Sequence, residues 1–266
     1  MKIVVLVKQV PAPDSADDPL FAPDLTVNRA APPARLNEAD EYAVDQAKQI
    51  ACRRLDVQIS ALTMGPAGAV GALRRALVLG ADQGVHVLDD ALHGSDALAT
   101  SRVLAAAVRR MGFDLVLCGA ASADCGTAVV PTMVADRLGV PSLCFADELR
   151  ISRDGADEVL VRRDAGAAVD EAAALLPALV SVTSRCGPPR YPTIRAIAEA
   201  RHRLVRTWSL AQLGIPPNEV GLRAAATVTR TVIPQAARHA GGVIRDDAHG
   251  SAAVGLADFL TARHLL

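Results

Sequence analysis

Short, continuous apolar runs alternate along this chain with longer stretches that are apolar at every third or fourth position. KIVVLV at 2–7, VQISALTM at 57–64, GVHVL at 84–88, the run at 115–118 and PALVSVT at 177–183 read as buried parallel strands, β-branched and bounded by turn residues. Further strand patterns lie near Pro141 to Leu149 and Glu158 to Arg163. Helix patterns fall between them. Asn37 caps a helix that places Tyr42, Ala43, Ala47 and Ile50 on one buried face, with acids in its first turn and Lys48 near its end. AVGALRRALVLG stops at a C-cap, Gly80, and Ser95 caps a helix running to Met111. SLAQLGI reads as a short helix, and AAVGLADFLTARHLL closes the chain as an amphipathic one. This rhythm predicts an α/β fold: an open, mostly parallel sheet flanked by helices, Rossmann-like and suited to an adenine nucleotide, with an extended C-terminal arm. The expected division is 1–222 for the α/β domain and 223–266 for the arm and its helix.

The stretch from Asp114 to Pro131 organises the rest. Its apolar run breaks at Gly119 into small and polar residues, and Val129 and Val130 lead into a helix. Strand, loop, helix is where a parallel sheet offers backbone N–H groups to a phosphate. By pattern alone an ordinary turn fits equally well. Asp124 would hold a ribose hydroxyl or cap the loop. Three strand ends, Val7-Lys8, Met64-Gly65 and Gly119-Ala120, would surround one cleft if they are neighbours in the sheet.

Composition narrows the function. The 266 residues are 51% hydrophobic and 21% charged, with a net charge of -1, so the chain can bury a full core and carries no global basic field for nucleic acid. Aromatics at 3% supply no base-stacking platform. Five scattered cysteines without a C-x-x-C pair fit reduced thiols. No apolar run approaches membrane-spanning length, so the reading is a soluble, cytoplasmic protein that is not membrane-embedded.

Recognised catalytic motifs are absent. The chain has neither G-x-x-x-x-G-K-[ST] nor G-x-G-x-x-G nor G-x-S-x-G, and its six histidines lack metal-ligand spacing. His86, inside a strand pattern, reads as a structural histidine, and Cys125 as a small loop residue without a base beside it. The proline-broken loop at 11–35 is long enough to be functional. The basic run at 185–206 reads by default as a solvated helix face. The 223–250 arm has the composition of a tail. It nevertheless carries Val232, Ile233, Val243 and Ile244, and Leu256, Phe259 and Leu260 follow, which fits an arm wrapped on another subunit.

Six stretches taken together resemble one family: VLVKQVPAP, LNEADEYAVDQA, ALTMGPAGAVGALRRALVLGADQGVHV, DLVLCGAASAD, LPALVSVT, and PPRYPTIRAI followed by a basic helix. The resemblance is to the beta subunit of electron transfer flavoprotein and runs from end to end. It implies pairing with a larger alpha subunit, FAD bound mostly by alpha and shared with this chain, and a structural AMP buried in beta. Electron-bifurcating members hold a second FAD in that place. It further implies electrons arriving from an acyl-CoA or related flavin dehydrogenase, as in fatty acid beta-oxidation, and leaving to a quinone oxidoreductase, with no catalytic residue in this subunit.

By resemblance, the nucleotide site maps to Leu6, Val7, Lys8, Asn37, Met64 and Gly65, and to Gly119, Ser122, Asp124, Thr127, Ala128, Val129 and Val130. The amides of Ala128, Val129 and Val130 would hold the phosphate, although many members carry polar side chains where these three stand. The flavin-facing loop maps near Pro11 to Pro13 and Ala39, with no aromatic there. A dehydrogenase-recognition loop maps to Cys186–Ile197, within 184–206. Its residues are Arg190, Tyr191, Ile194 as the protruding aliphatic anchor, Arg195 and Ile197. Gly187-Pro188 stands where Asn-Glu is usual, and Arg201, His202 and Arg203 replace a Lys-rich run. The competing readings are a nucleotide hydrolase or ligase of the same fold and a nucleotide-sensing module without a redox role.

Overall fold

The apolar runs become the central layer. The computed structural model describes residues 1–12, 20–29, 33–152, 157–233, 241–247 and 250–266. In chain order the elements are β1 (Lys2–Leu6), β2 (Gln9–Pro11), β3 (Ala34–Leu36), α1 (Glu38–Ala51), β4 (Gln58–Met64), α2 (Val70–Leu79), β5 (Gln83–Val87), α3 (Ala97–Met111) and β6 (Leu115–Gly119). There follow α4 (Val130–Leu138), β7 (Ser142–Ala146), β8 (Glu148–Ile151), β9 (Glu158–Asp164), β10 (Val169–Leu175), β11 (Ala178–Val182), α5 (Ile194–Ala200), β12 (Val205–Trp208), α6 (Gly221–Ala224) and α7 (Ser251–Thr261).

Seven strands form one parallel sheet in the order β12-β5-β4-β1-β6-β11-β7. Side chains alternate across it, as the pleat requires. Ile3, Val5 and Val7 join Ala43, Val44, Ala47 and Leu73 from α1 and α2 on one face. Val4 and Leu6 join Val103, Val108 and Val134 from α3 and α4 on the other. Both faces are therefore covered by helices, which is what continuous apolar strands demand.

Several expectations need correcting. Asp96, not Ser95, caps α3, its carboxylate accepting from Ala99 N at 2.9 Å. Ser95 instead donates to Leu92 O and accepts from Gly221 N. The strand patterns near 141–149 belong to two sheets: the chain leaves β7 at Asp147 and enters a separate antiparallel sheet, β10-β9-β8. The long proline loop is closed at its two ends by the antiparallel pairing of β2 with β3. SLAQLGI forms only a 3-10 turn at Ala211–Leu213. The basic helix expected after 197 ends at Ala200, and the chain then runs into β12 at the sheet edge.

The chain divides into two compact units, Met1–Arg230 and Thr231–Leu266. The first holds both apolar layers. Within the second, Ile244 packs beside Gly255 of α7, and Arg263 stacks on Phe259 at 4.1 Å. No residue of α7 is buried. Among the described residues, no helix is long and apolar enough to cross a membrane.

Candidate functional site

The three strand ends are neighbours, because β1 lies between β4 and β6. Connections leave β1 in one direction through β4 and β5, and β6 then opens the other side of the sheet. The crevice outside the carboxyl ends of β1 and β6 is thus the topological switch point, where open α/β sheets hold ligands.

Helix α1 pins both ends. Strand β6 stops at Gly119, where a Cβ would sit 2.5 Å from Asp40 Oδ1 and 2.7 Å from the Ala39 backbone carbon, so only glycine admits the helix this closely. Asp40 is 5% exposed and accepts Lys8 N at 2.8 Å and Gly119 N at 3.1 Å, tying two strand ends to one carboxyl. Burial pushes that carboxyl up to about 7, against the bonds from Asn37, Lys8 and Gly119. Asn37 stands at the N-cap position, but its side chain does not cap the helix. Its Nδ2 donates to Ala121 O at 3.0 Å and its Oδ1 accepts from Ala123 N at 3.1 Å, which shapes the loop after β6.

Charge gathers on that loop. Lys8 Nζ meets Asp124 Oδ1 at 2.7 Å and Ser122 Oγ at 3.1 Å. Arg29 Nη2 meets Asp124 Oδ2 at 2.7 Å, while its Nη1 donates to Gln9 O. Burial works to raise the Asp124 carboxyl, but Lys8, Ser122 and Arg29 together hold it well below the usual carboxylate range. Asp124 thus pairs two cations across the loop, and the local balance is one net positive charge. Beside it Ala128 adopts φ 56°, and Val129 turns back to φ −93° before α4 begins. A left-handed residue followed by a right-handed one turns successive N–H groups into one concavity, at the positive end of a helix. Thr127 and Val129 are exposed at its rim, and Val130 starts the helix.

On the β4 side, Leu6 and Val7 are buried, Val7 O accepting from Thr63 Oγ1 at 2.7 Å. Met64 is half-buried at the strand end, and Gly65 O faces buried His86 Nε2 at 2.9 Å, so His86 is a bonded core residue. Ala39 is half-buried against Gly119. Pro13 lies outside the described residues.

The second group of candidate residues is distant in sequence and held by the same helix. Arg190 keeps half of its side chain exposed, yet its backbone N and Nε both donate to Asp45 Oδ1, at 3.3 and 3.0 Å. Tyr191 is 95% and Ile194 88% exposed, with Ile197 also exposed. Arg195 pairs with Glu199 one turn along α5, whose N-cap is Thr193.

Asp40, Arg29, Asp45 and Gln46 were not singled out by sequence. For Asp40 there was a signal: it falls one turn before Ala43, on the apolar stripe of α1, and a carboxyl on a buried stripe must have a partner.

The electron transfer flavoprotein domain model matches residues 24–213. The electron transfer flavoprotein subunit beta of Mycobacterium tuberculosis is 36% identical over 253 residues, covering 93% of this chain and 94% of that protein. The same subunit of Megasphaera elsdenii is 32% identical, with 92% of each chain covered. A subunit of the caffeyl-CoA reductase-Etf complex of Acetobacterium woodii is 29% identical across the whole of both chains. The matched span includes Arg29, α1, the loop after β6 and the segment bearing Ile194, and the chain belongs to the electron transfer flavoprotein beta-subunit family.

Proposed function

We propose that this chain is the beta subunit of a heterodimeric electron transfer flavoprotein that buries a structural AMP at the β1–β6 switch point. It shares with its alpha subunit an FAD held mainly by alpha. The observation that carries the nucleotide reading is that Lys8 and Arg29 converge on Asp124 in the loop after β6, which then passes through left-handed Ala128 into the N-terminus of α4. The residues fit an adenine mononucleotide. One excess positive charge and a helix N-terminus suit a phosphate, and the apolar Leu6, Val7 and Met64 at the neighbouring strand ends suit a base. Backbone donors serve here without the polar side chains that many relatives carry. Bound flavin supplies the one- and two-electron chemistry. This chain's residues hold, orient and dock, and none of them acts as an acid, base or nucleophile. The electron donor is an acyl-CoA or related flavin dehydrogenase that meets Tyr191 and Ile194, and the acceptor is a quinone oxidoreductase. An exposed aliphatic anchor followed along the chain by exposed Arg195, Arg201 and Arg206 suits a partner with an acidic rim.

A second reading gives this site to a second FAD, as in bifurcating proteins. It draws on the full-length similarity to a CoA-reductase-complex subunit. Mass spectrometry of nucleotides released from the purified heterodimer tests both. AMP and FAD in equal amounts is the expected result; two FAD and no AMP overturns it.

A further inference from the structure

The exposed anchor residues sit on a segment with few ties of its own. Residues 187–192 read Gly-Pro-Pro-Arg-Tyr-Pro, and the three prolines contribute no N–H. The segment enters at Cys186, whose carbonyl accepts from Gln46 Nε2 at 3.0 Å, and it leaves at Thr193, the cap of α5. Between these points its anchor is Arg190, bound twice by Asp45 and lying against the C-terminal half of α1. Asp45 is 3% exposed, and its second oxygen accepts from Gln49 at 2.8 Å. A carboxylate that deep, with a guanidinium and a backbone N–H directed at it, fixes one conformation of an otherwise loose segment. Gln46, also buried, fixes the entry.

We propose that Asp45 is a positioning residue for partner docking: by holding the main chain and guanidinium of Arg190, it presents Tyr191 and Ile194 already arranged for the partner. The inference rests on the docking reading given above. A preformed loop avoids the ordering cost that binding would otherwise bear, so its loss weakens encounter and leaves the electron-transfer distance within the docked complex unchanged. The Asp45 carboxylate bonds Arg190 and Gln49 and not the loop after β6, so flavin content is expected to be untouched.

The test uses the heterodimer with its alpha subunit, reduced by an acyl-CoA dehydrogenase charged with its substrate. Asp45→Ala raises the KM for the heterodimer about tenfold, with kcat and flavin content near wild type. Trypsin cleavage after Arg195 is faster. Arg190→Met breaks the same pair from its half-exposed side, without a buried cavity, and shifts KM in the same direction. An unshifted KM in a variant whose loop trypsin now cuts faster overturns the proposal. So does an unchanged cleavage rate, or a parallel fall of kcat and flavin content. A wild-type heterodimer that the dehydrogenase does not reduce sinks the docking reading instead.

Discussion

Asp40 shows how much one buried carboxyl decides. It joins the ends of β1 and β6, and without it two backbone N–H groups in the crevice lose their acceptor. Its folded-state value of about 7 stands above the ordinary 3.8. Between those values the folded chain holds a proton that the unfolded chain has released. Its contribution to stability is therefore full below about pH 4 and is lost as pH rises through 7. Between pH 6 and 8 the native protein should lose about 1 kcal/mol from this group alone. Asp124 is held far below that window, and every group common to the two proteins cancels in their comparison. Urea unfolding at both pH values, compared between the wild-type chain and Asp40→Asn, isolates the effect. The difference between the two proteins must change across the window, and parallel behaviour would refute the assignment. Gly119 is constrained by the same contact, since any side chain there meets Asp40 and the start of α1.

At the scale of elements, the basic segment after α5 divides into separate tasks. Arg203 is half-buried and its Nη1 donates to Leu77 O at 2.7 Å and Ala81 O at 2.5 Å, closing the C-terminal end of α2. Arg201 and Arg206 remain exposed. Arg203→Met should thus cost about 2 kcal/mol in chemical denaturation and leave reduction by the dehydrogenase unaltered, the reverse of a docking residue. Wild-type stability in this variant would return Arg203 to the solvated face. The segment also marks where sequence pattern ran out. Strands β1, β4, β6 and β11 were legible because burial on both faces leaves continuous β-branched runs. Strand β12 is a half-exposed edge whose Arg206 and Thr207 face water, so its charges read as a helix face. Strand β10 alternates in burial, but its Asp, Glu and Ala composition has little strand propensity. The loop after β6 was legible as strand-loop-helix, whereas the proposed AMP and the proposed docking segment entered only by family resemblance. Arg29 and Asp45 were hidden for a plainer reason: the partner of a charge is set by tertiary contact, and Arg29 is 95 residues from Asp124.

For the whole molecule, the uneven distribution of core between the two units poses the largest question. Both apolar layers are built from Met1–Arg230. The unit Thr231–Leu266 offers an 11-residue helix without a buried residue, and an isolated helix of that length is marginal in water. It nevertheless exposes Ile233, Val243, Val254, Leu256 and Phe259. Apolar positions at this density require a cover, and the proposal under test is that the alpha subunit supplies it. A chain ending at Arg230 should therefore keep a single cooperative urea transition, because its core is intact, and should fail to co-elute with the alpha subunit in size-exclusion chromatography. If the shortened chain assembles as well as the full one, the arm is not an assembly element, and the interface must then lie on the first unit. If instead its cooperative transition is lost, the arm completes the fold of the chain itself, and its apolar residues answer to Met1–Arg230 and not to a partner.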